Sequence, residues 1–276
     1  MSYALITGAS KGIGKEFAIS LAKRKYNLLL VARTENLLSG LAEELQKKYG
    51  VTVHYKAVDL SAANAAEEIV EWCKTGGYDV NAIVNNAGYG LHGAFEKVSL
   101  TEQLNMMQLN MNTTVQLTYK ALPLLHKYSG KAYVLNVAST AAYQAVPYLA
   151  VYSATKSFVL SFTRALRQEL KGSNISITCL SPGAVDTHFM ERAGMDKVKK
   201  IAKQAAKFDM QADVVAEFGI DAMLKGKSEV VPGMANKVGV FANRVMPKNV
   251  VEGVAKSLYS PGKLTLLNYS FKVSVK

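Results

Sequence analysis

Tyr152 and Lys156 are two residues of this chain whose types and spacing could support acid–base chemistry. They are four positions apart within VYSATKSFV, so on a helix they would share one face. A free phenol has a pKa of about 10 and is a poor acid–base group at neutral pH, but a nearby ammonium stabilises phenolate and lowers that pKa. The pair therefore suits a phenol that donates a proton as a carbonyl becomes an alcohol. Because such pairs also arise by chance on helices, this interpretation needs further motifs.

A glycine-rich stretch, TGASKGIG at residues 7–14, follows the first apolar run and opens the first helical pattern. Gly8 permits a tight turn, and Gly12 and Gly14 permit close approach of a ligand and of the neighbouring strand. The free N–H groups at the start of the helix favour a pyrophosphate. The residues predicted to line the phosphates are Gly8, Ser10, Lys11, Gly12, Ile13 and Gly14.

The same loop also fits a second pattern, G-x-S-x-G at residues 8–12, in which a strained turn exposes a nucleophilic serine. Such a serine follows an inner strand and needs an acid and a histidine downstream. Ser10 instead follows the first predicted strand, and none of the four histidines sits in a distinctive setting. We therefore predict a nucleotide-binding loop and no nucleophilic role for Ser10.

The end of the second predicted strand indicates which dinucleotide binds. A carboxylate there accepts a hydrogen bond from the ribose 2′-hydroxyl of NAD(H), whereas a cation suits the 2′-phosphate of NADP(H). The strand ends in Ala32-Arg33 without an acid, and Lys11 adds a second cation, so we predict NADP(H). Asp59 follows the third strand and has two open interpretations: contact with the adenine amino group, or a cap on the next helix.

Short apolar runs alternate with helical patterns along most of the chain. Strands that are apolar on both faces are typical of a parallel sheet buried between two helical layers. We predict an α/β fold, a doubly wound Rossmann-like sheet of about seven strands in one domain over residues 1–231. A basic, amphipathic, helical extension would follow over residues 232–276. The predicted strands are Tyr3–Thr7, Leu28–Ala32, Thr52–Ala57, Ala82–Val84, Ala132–Val137, Ser176–Leu180 and Glu229–Val231, and the predicted helices lie near 12–25, 35–49, 64–75, 101–128, 150–171 and 211–225.

Three more stretches belong at the carboxyl ends of strands: IVNNAGYG (83–90), VLNVASTAAY (134–143) and CLSPGAVDT (179–187). Together with TGASKGIG and Tyr-x-x-x-Lys, in this order, they resemble the short-chain dehydrogenase/reductase family over about residues 1–231. The extension VVPGMANKVGVFANRVMPKNVV resembles that of a bacterial subgroup related to hydroxysteroid and long-chain 3-oxoacyl reductases.

The resemblance implies a role for each residue that matches the family pattern. Tyr152 would be the general acid in reduction, and Lys156 would lower its pKa and bind the nicotinamide ribose. Ser139 would stabilise the negative charge that develops on the substrate carbonyl, and Asn110 would order a water in a proton relay. The further residues implied beside the cofactor are Asn86, Ala87, Gly88, Pro182, Gly183 and Thr187. The residues expected around the substrate are Ser139, Tyr89, Tyr143, Tyr148 and Phe189.

The formal net charge of +12 is uneven, because residues 192–276 contain 15 Lys/Arg and 7 Asp/Glu. Two interpretations of the lysine-rich segment at 188–210 remain open. It is either a mobile lid that covers a hydrophobic substrate with an acidic head group, or an amphipathic helix with a solvated face. For the extension, peripheral membrane contact and packing or subunit contact both remain open. We expect no nucleic-acid partner, because the chain has no recognisable binding module.

Other features of the sequence concern location and class. No stretch approaches the length of a membrane span, no signal segment is recognised, and Cys73 and Cys179 are too few for a disulfide framework, so we expect a cytoplasmic protein. We predict an NADPH-dependent reductase of a hydrophobic ketone, aldehyde or acyl-type substrate, without metal ligands, that forms a homodimer or homotetramer. The alternatives are a non-catalytic NADP(H)-binding regulatory protein and a membrane-surface lipid-binding protein.

Overall fold

The computed structural model describes residues 2–185, 189–196, 198 and 210–260. Its centre is a sheet of seven parallel strands in the order β3-β2-β1-β4-β5-β6-β7. This confirms the predicted doubly wound sheet. The strands are β1 (Tyr3–Thr7), β2 (Asn27–Ala32), β3 (Val53–Ala57), β4 (Val80–Asn85), β5 (Ala132–Val137), β6 (Ile175–Leu180) and β7 (Glu229–Val230).

Helices cover both faces of the sheet, and each layer closes over its own apolar cluster. The helices are α1 (Gly12–Lys23), α2 (Glu35–Tyr49), α3 (Ala65–Thr75), α4 (Leu100–Met107), α5 (Thr113–Lys127), α6 (Ala150–Glu169), α7 (Phe189–Arg192), α8 (Ala212–Leu224), α9 (Met234–Val245) and α10 (Lys248–Tyr259). Helices α1, α2 and α8 pack on one face, and α3, α5 and α6 pack on the other. None of the described helices is long and apolar enough to cross a membrane.

The strand order reverses beside β1, because the chain first adds β2 and β3 on one side and then adds β4 to β7 on the other. In such sheets the crevice for a ligand opens beyond the carboxyl ends of the strands, at this reversal. All residues of β2 and β4 are buried, which explains why the strands lack an alternating polar pattern.

The helix predicted over residues 101–128 is interrupted. Helix α4 passes into a π-helical turn at Gln108–Asn112 before α5 begins. Such turns add a residue to the helical circuit and occur often at functional sites. Here the turn places Asn110 inward with 1% of its surface exposed.

A buried chain of polar side chains runs along one face of the sheet from α5 to α6. Asn85 on β4 donates to Asn136 on β5 at 2.8 Å and to Thr118 on α5 at 3.0 Å. Asn136 in turn donates to Thr163 on α6 at 3.0 Å. We call these four residues the amide ladder. It satisfies polar groups that would otherwise be costly to bury, and it joins the two strands whose carboxyl ends border the cleft.

Candidate active site

A cleft of about 1220 Å³ opens at the carboxyl ends of β1, β4, β5 and β6. One end is lined by the glycine loop and the tip of β2. The other end is lined by apolar side chains that follow β4, that lie just before or on α6, and that lie on or just after α7. The predicted residues that the structure brings to its walls are Gly8, Ser10, Lys11, Gly12, Ile13, Gly14, Arg33, Asp59, Asn86, Ala87, Gly88, Tyr89, Ser139, Tyr152, Lys156, Pro182, Gly183 and Phe189.

The glycine loop has the backbone that the sequence predicts. Gly8 and Gly12 have φ values of +67° and +55°, in the left-handed region that favours glycine. A side chain at position 14 would overlap the Gly8 carbonyl oxygen, so only glycine allows α1 to begin this close to the turn. The loop is therefore shaped for close approach of a ligand to the first turn of α1.

Thr7 and Asn86 fix the glycine loop against the end of β4. The Thr7 hydroxyl donates to the Val84 carbonyl at 3.2 Å and accepts from the backbone N–H groups of Asn86 at 3.0 Å and Ala87 at 3.1 Å. The Asn86 amide donates back to the Thr7 carbonyl at 2.9 Å. These bonds set the distance between the glycine loop and the end of β4.

Two exposed cations, Lys11 and Arg33, line the end of the cleft beyond the glycine loop. Asp59 lines the same end, where its carboxylate accepts from the backbone N–H of Ser61 at 3.0 Å and from the Ser61 hydroxyl at 2.7 Å. These bonds lower the pKa of Asp59. The N-cap of α3 is Asn64, so the structure does not support the helix-cap interpretation of Asp59.

Tyr152 and Lys156 lie on the inner face of α6, and both are buried. The Lys156 ammonium is 5.9 Å from the centroid of the Tyr152 ring and donates to the Val137 carbonyl at 2.9 Å. Burial raises the pKa of Tyr152 to about 12, although the Ser139 hydroxyl acts in the opposite direction. Burial also lowers the pKa of Lys156 to about 8. At neutral pH the site therefore holds a neutral phenol beside an ammonium.

Both polar atoms of the Asn110 side chain form hydrogen bonds with other groups of the protein. Its Oδ1 accepts from the Tyr89 backbone N–H at 3.1 Å, and its Nδ2 donates to the Tyr89 carbonyl at 3.0 Å and to the Thr155 hydroxyl at 3.1 Å. A Cβ at Gly88 would lie 2.9 Å from Asn110 Oδ1 and 3.4 Å from Lys156 Nζ. Asn110 thus positions the segment that follows β4 relative to α6. Gly88 has little room for a side chain.

Apolar side chains close the other end of the cleft. Phe189 on α7 packs 5.4 Å from the Tyr152 ring, centroid to centroid. A Cβ at Gly90 would lie 2.9 Å from the Phe189 ring, so the glycine leaves room for that ring beside Tyr152. The other apolar residues that line this end include Leu149, Met190, Met195, Leu258 and Tyr259. This end suits a hydrophobic group attached to the atom that reacts.

Comparison with known proteins places this geometry in a family. The family model described as short chain dehydrogenase matches residues 2–198. The chain belongs to the short-chain dehydrogenase family. Its curated relatives include the very-long-chain 3-oxoacyl-CoA reductase of Laccaria bicolor, 34% identical over 74% of this chain and 58% of the relative. They also include sulfoacetaldehyde reductase 2 of Chromohalobacter salexigens, 33% identical over 77% of this chain and 84% of the relative.

A solved short-chain dehydrogenase from Sphingobium yanoikuyae in complex with NADPH is 26% identical. It covers 94% of this chain and 95% of its own, with a TM-score of 0.78. The chain spans little more than half, 58%, of the Laccaria bicolor reductase. Family membership therefore gives the fold and the class of chemistry, and the finer assignments are proposals.

Two predicted substrate contacts do not line the cleft. The Tyr143 hydroxyl donates to the Glu229 carboxylate at 2.6 Å and lies 3.2 Å from the Ser181 hydroxyl, so it is directed toward β7. Tyr148 has a φ of +66°, and its ring packs against His92 at 6.3 Å. Neither tyrosine is among the residues that form the cleft walls, and we withdraw both as substrate contacts. Thr187 and most of the predicted lid lie outside the described residues.

The extension also lines the cleft, which the sequence did not predict. Asn236 and Val240 of α9 and Leu258 and Tyr259 of α10 all line it. A side chain at Gly183 would overlap the Asn236 amide, which shows how closely α9 approaches the turn after β6. The pattern of α9 marks an amphipathic helix, but no local signal identifies the surface on which such a helix packs.

Proposed function

We propose that this protein is an NADPH-dependent oxidoreductase that reduces the carbonyl group of a hydrophobic ketone, aldehyde or acyl-type substrate to an alcohol. The observation that carries the proposal is the buried phenol of Tyr152. The Lys156 ammonium lies 5.9 Å from the centroid of its ring, the Ser139 hydroxyl interacts with its hydroxyl, and all three residues line the cleft. Family membership and the reductase names of the relatives support the same class of reaction.

The cofactor assignment rests on the fit of the loop and on charge. The glycine loop brings backbone close to the start of α1, where the N–H groups and the helix dipole favour a pyrophosphate. Lys11 and Arg33 then supply two cations and no carboxylate for the ribose, which favours the 2′-phosphate of NADP(H). The solved relative that binds NADPH supports this choice.

Arg33→Ala tests the cofactor assignment. Loss of one charge-assisted contact with the phosphate should weaken NADPH binding roughly tenfold or more, while NADH binding changes little. Dissociation constants for both nucleotides, measured by fluorescence titration, give the comparison. Equal losses for the two nucleotides would contradict the 2′-phosphate role.

The residues of the chain divide the chemistry as follows. When bound, NADPH supplies a hydride to the carbonyl carbon. The Ser139 hydroxyl donates a hydrogen bond to the carbonyl oxygen and stabilises the charge that develops on it. Tyr152 transfers its phenolic proton to that oxygen, and Lys156 stabilises the phenolate until it recovers a proton from solvent. The raised pKa of Tyr152 keeps the proton in place before the step, which suits reduction.

Tyr152→Phe separates this enzyme from a regulatory protein that binds NADP(H) without turnover. The variant keeps the ring that packs against Phe189 and loses only the hydroxyl. We expect NADPH binding to stay nearly unchanged while reduction falls by about 100-fold or more. Retained turnover would refute the mechanism. A wild-type protein that binds NADPH and reduces no carbonyl in a broad panel would favour the regulatory alternative.

The apolar walls favour a substrate with a hydrophobic group next to the carbonyl. A panel of ketones, aldehydes and 3-oxoacyl thioesters, followed through NADPH absorbance, tests this. We expect kcat/KM to rise with the apolar size of the substrate over the smaller members. A preference for small charged aldehydes would contradict the hydrophobic assignment.

We also propose that two copies of the chain associate through the outer faces of α4, α5 and α6. Leu104, Tyr119 and Phe158 are exposed there, at 53%, 74% and 37% of their surfaces. Large apolar side chains on one face mark interaction sites when they are contiguous. Tyr119→Glu should shift the mass in solution, measured by light scattering, toward the monomer, whereas a wild-type monomer would contradict the proposal.

A second apolar face leads us to propose peripheral contact with an anionic membrane. Met234, Val238, Phe241 and Val245 form an exposed stripe along α9, with Lys237 and Arg244 beside it. Such helices bind at a lipid surface through apolar area and basic charge together. Flotation with phosphatidylserine vesicles should recover the wild-type protein and fail for Phe241→Glu. Equal flotation of both proteins would contradict the role of the stripe.

A further inference from the structure

The last turn of α10 enters the substrate end of the cleft. Tyr259 packs in one apolar cluster with Tyr152 and Phe189, and Leu258 lines the same wall. Burial raises the pKa of Tyr259, and Tyr259 in turn helps to raise the pKa of Tyr152. A residue from the far end of the chain thus forms part of the environment of the proposed proton donor.

His92 holds this turn of α10 in place. Its Nε2 atom lies 2.7 Å from the Tyr259 carbonyl oxygen. Because a carbonyl oxygen only accepts hydrogen bonds, Nε2 carries the proton. This carbonyl is one of the last four of α10, which have no partner within the helix. His92 therefore provides a cap for the C-terminus of α10 at the point where Tyr259 meets the cleft.

The same short loop also binds the other two segments around the substrate end. The backbone N–H of His92 donates to the Ala193 carbonyl, after α7, at 3.0 Å. The backbone N–H of Gly93 donates to the Tyr148 carbonyl, before α6, at 2.9 Å. The loop thus sets α10, α7 and the approach to α6 relative to one another. Ala255 is the one buried residue of α10, so the packing of Tyr259 and its bond to His92 are further contacts that hold this helix.

Resting on the reductase activity proposed above, we propose that Tyr259 determines specificity by limiting the size of the substrate group that fits beside Tyr152, and that His92 is the positioning residue that holds it there. The ligand class is a carbonyl compound with a linear or bulky apolar chain. The phenol ring forms the stop against which that chain ends. Removing the ring should extend the pocket toward the C-terminus of α10.

The test compares butanone with dodecanone as substrates of the full chain with NADPH. For Tyr259→Ala we expect the ratio of kcat/KM values, dodecanone over butanone, to rise by about tenfold or more, chiefly through a lower KM for dodecanone. Tyr259→Phe is the matched control, since it keeps the ring and should keep the wild-type ratio. Tyr259→Leu serves the same purpose as the alanine variant if the latter does not fold.

The role of His92 is tested in the same assay. His92→Phe keeps a ring and loses the donor, so the ratio should move in the direction of Tyr259→Ala. His92→Gln offers an amide N–H at similar reach and should restore the wild-type ratio. A wild-type ratio in His92→Phe would overturn the positioning role, and an unchanged ratio in both Tyr259→Ala and Tyr259→Leu would overturn the specificity role.

Binding distinguishes failure of this inference from failure of the proposed activity. If no carbonyl is reduced, the dissociation constants of dodecanone and butanone for the NADPH-bound protein still report the size of the pocket. A ratio of dissociation constants that shifts toward dodecanone in Tyr259→Ala would uphold the specificity role while the activity is rejected. An unchanged ratio would reject the specificity role as well.

Discussion

Replacing Lys156 by methionine should remove a rise in the free energy of unfolding with pH that the wild-type protein shows in alkaline solution. Burial lowers the pKa of Lys156 from an ordinary 10.5 to about 8. Between these values the unfolded chain holds a proton that the folded chain has released, so unfolding free energy rises with pH across this window. The charged ammonium therefore lowers the free energy of unfolding at neutral pH, and this destabilisation disappears as the side chain becomes neutral.

The size of the effect follows from the two pKa values. One pKa unit corresponds to about 1.36 kcal/mol, so charging Lys156 in the folded protein costs on the order of 3 kcal/mol at neutral pH. Linkage then gives a change of roughly 2–3 kcal/mol in the difference in unfolding free energy between wild type and Lys156→Met from pH 7 to pH 10. The lost hydrogen bond to the Val137 carbonyl shifts the whole difference but not its slope. The other titrating groups are common to both proteins, so their contributions to the difference cancel. The slope of this difference against pH therefore reports Lys156.

Urea unfolding of both proteins at several pH values measures this difference. Lys171→Met is the matched control, because Lys171 is exposed and its charge stays in water in both states. Parallel stability curves for wild type and Lys156→Met would refute the reasoning. Lys156→Met should also abolish efficient reduction, so a gain in stability at neutral pH would accompany a loss of activity.

Three further predictions concern the glycine loop and the turn at Asn110. Asn110→Ala should lower unfolding free energy by about 2–4 kcal/mol in urea unfolding, because it leaves the Tyr89 backbone groups buried without partners, and a loss below that of an exposed substitution would contradict this. Gly14→Ala should weaken NADPH binding at least tenfold in a fluorescence titration, since its methyl group would displace Gly8; unchanged affinity would show that the loop adapts. Ser10→Ala should retain most reductase activity in the NADPH absorbance assay, and an inactive variant would restore the nucleophile interpretation.

The sheet was predictable because burial on both faces leaves short apolar runs that a sequence displays directly. The interruption at Gln108–Asn112 was not, since one extra residue in a helical turn has no local signature. Proximity in sequence misled the assignment of Tyr143, because closeness to Ser139 does not fix the direction of a side chain. Tyr259 was missed because its place depends on packing across 167 residues to His92.

The amide ladder fixes the register in which β4 and β5 pair, and with it the spacing of the cleft residues that follow these strands. Asn85 and Asn136 are direct neighbours in the register of these strands. A slip by one residue would move one strand about 3.3 Å along the other and turn the amide of the displaced strand to the opposite face, away from its partner. Asn86 follows one strand and Ser139 lies shortly after the other. Two buried amides thereby hold the glycine-loop side of the cleft at a fixed spacing from Ser139, and in an enzyme a misplacement of about 1 Å can lower the rate about 100-fold.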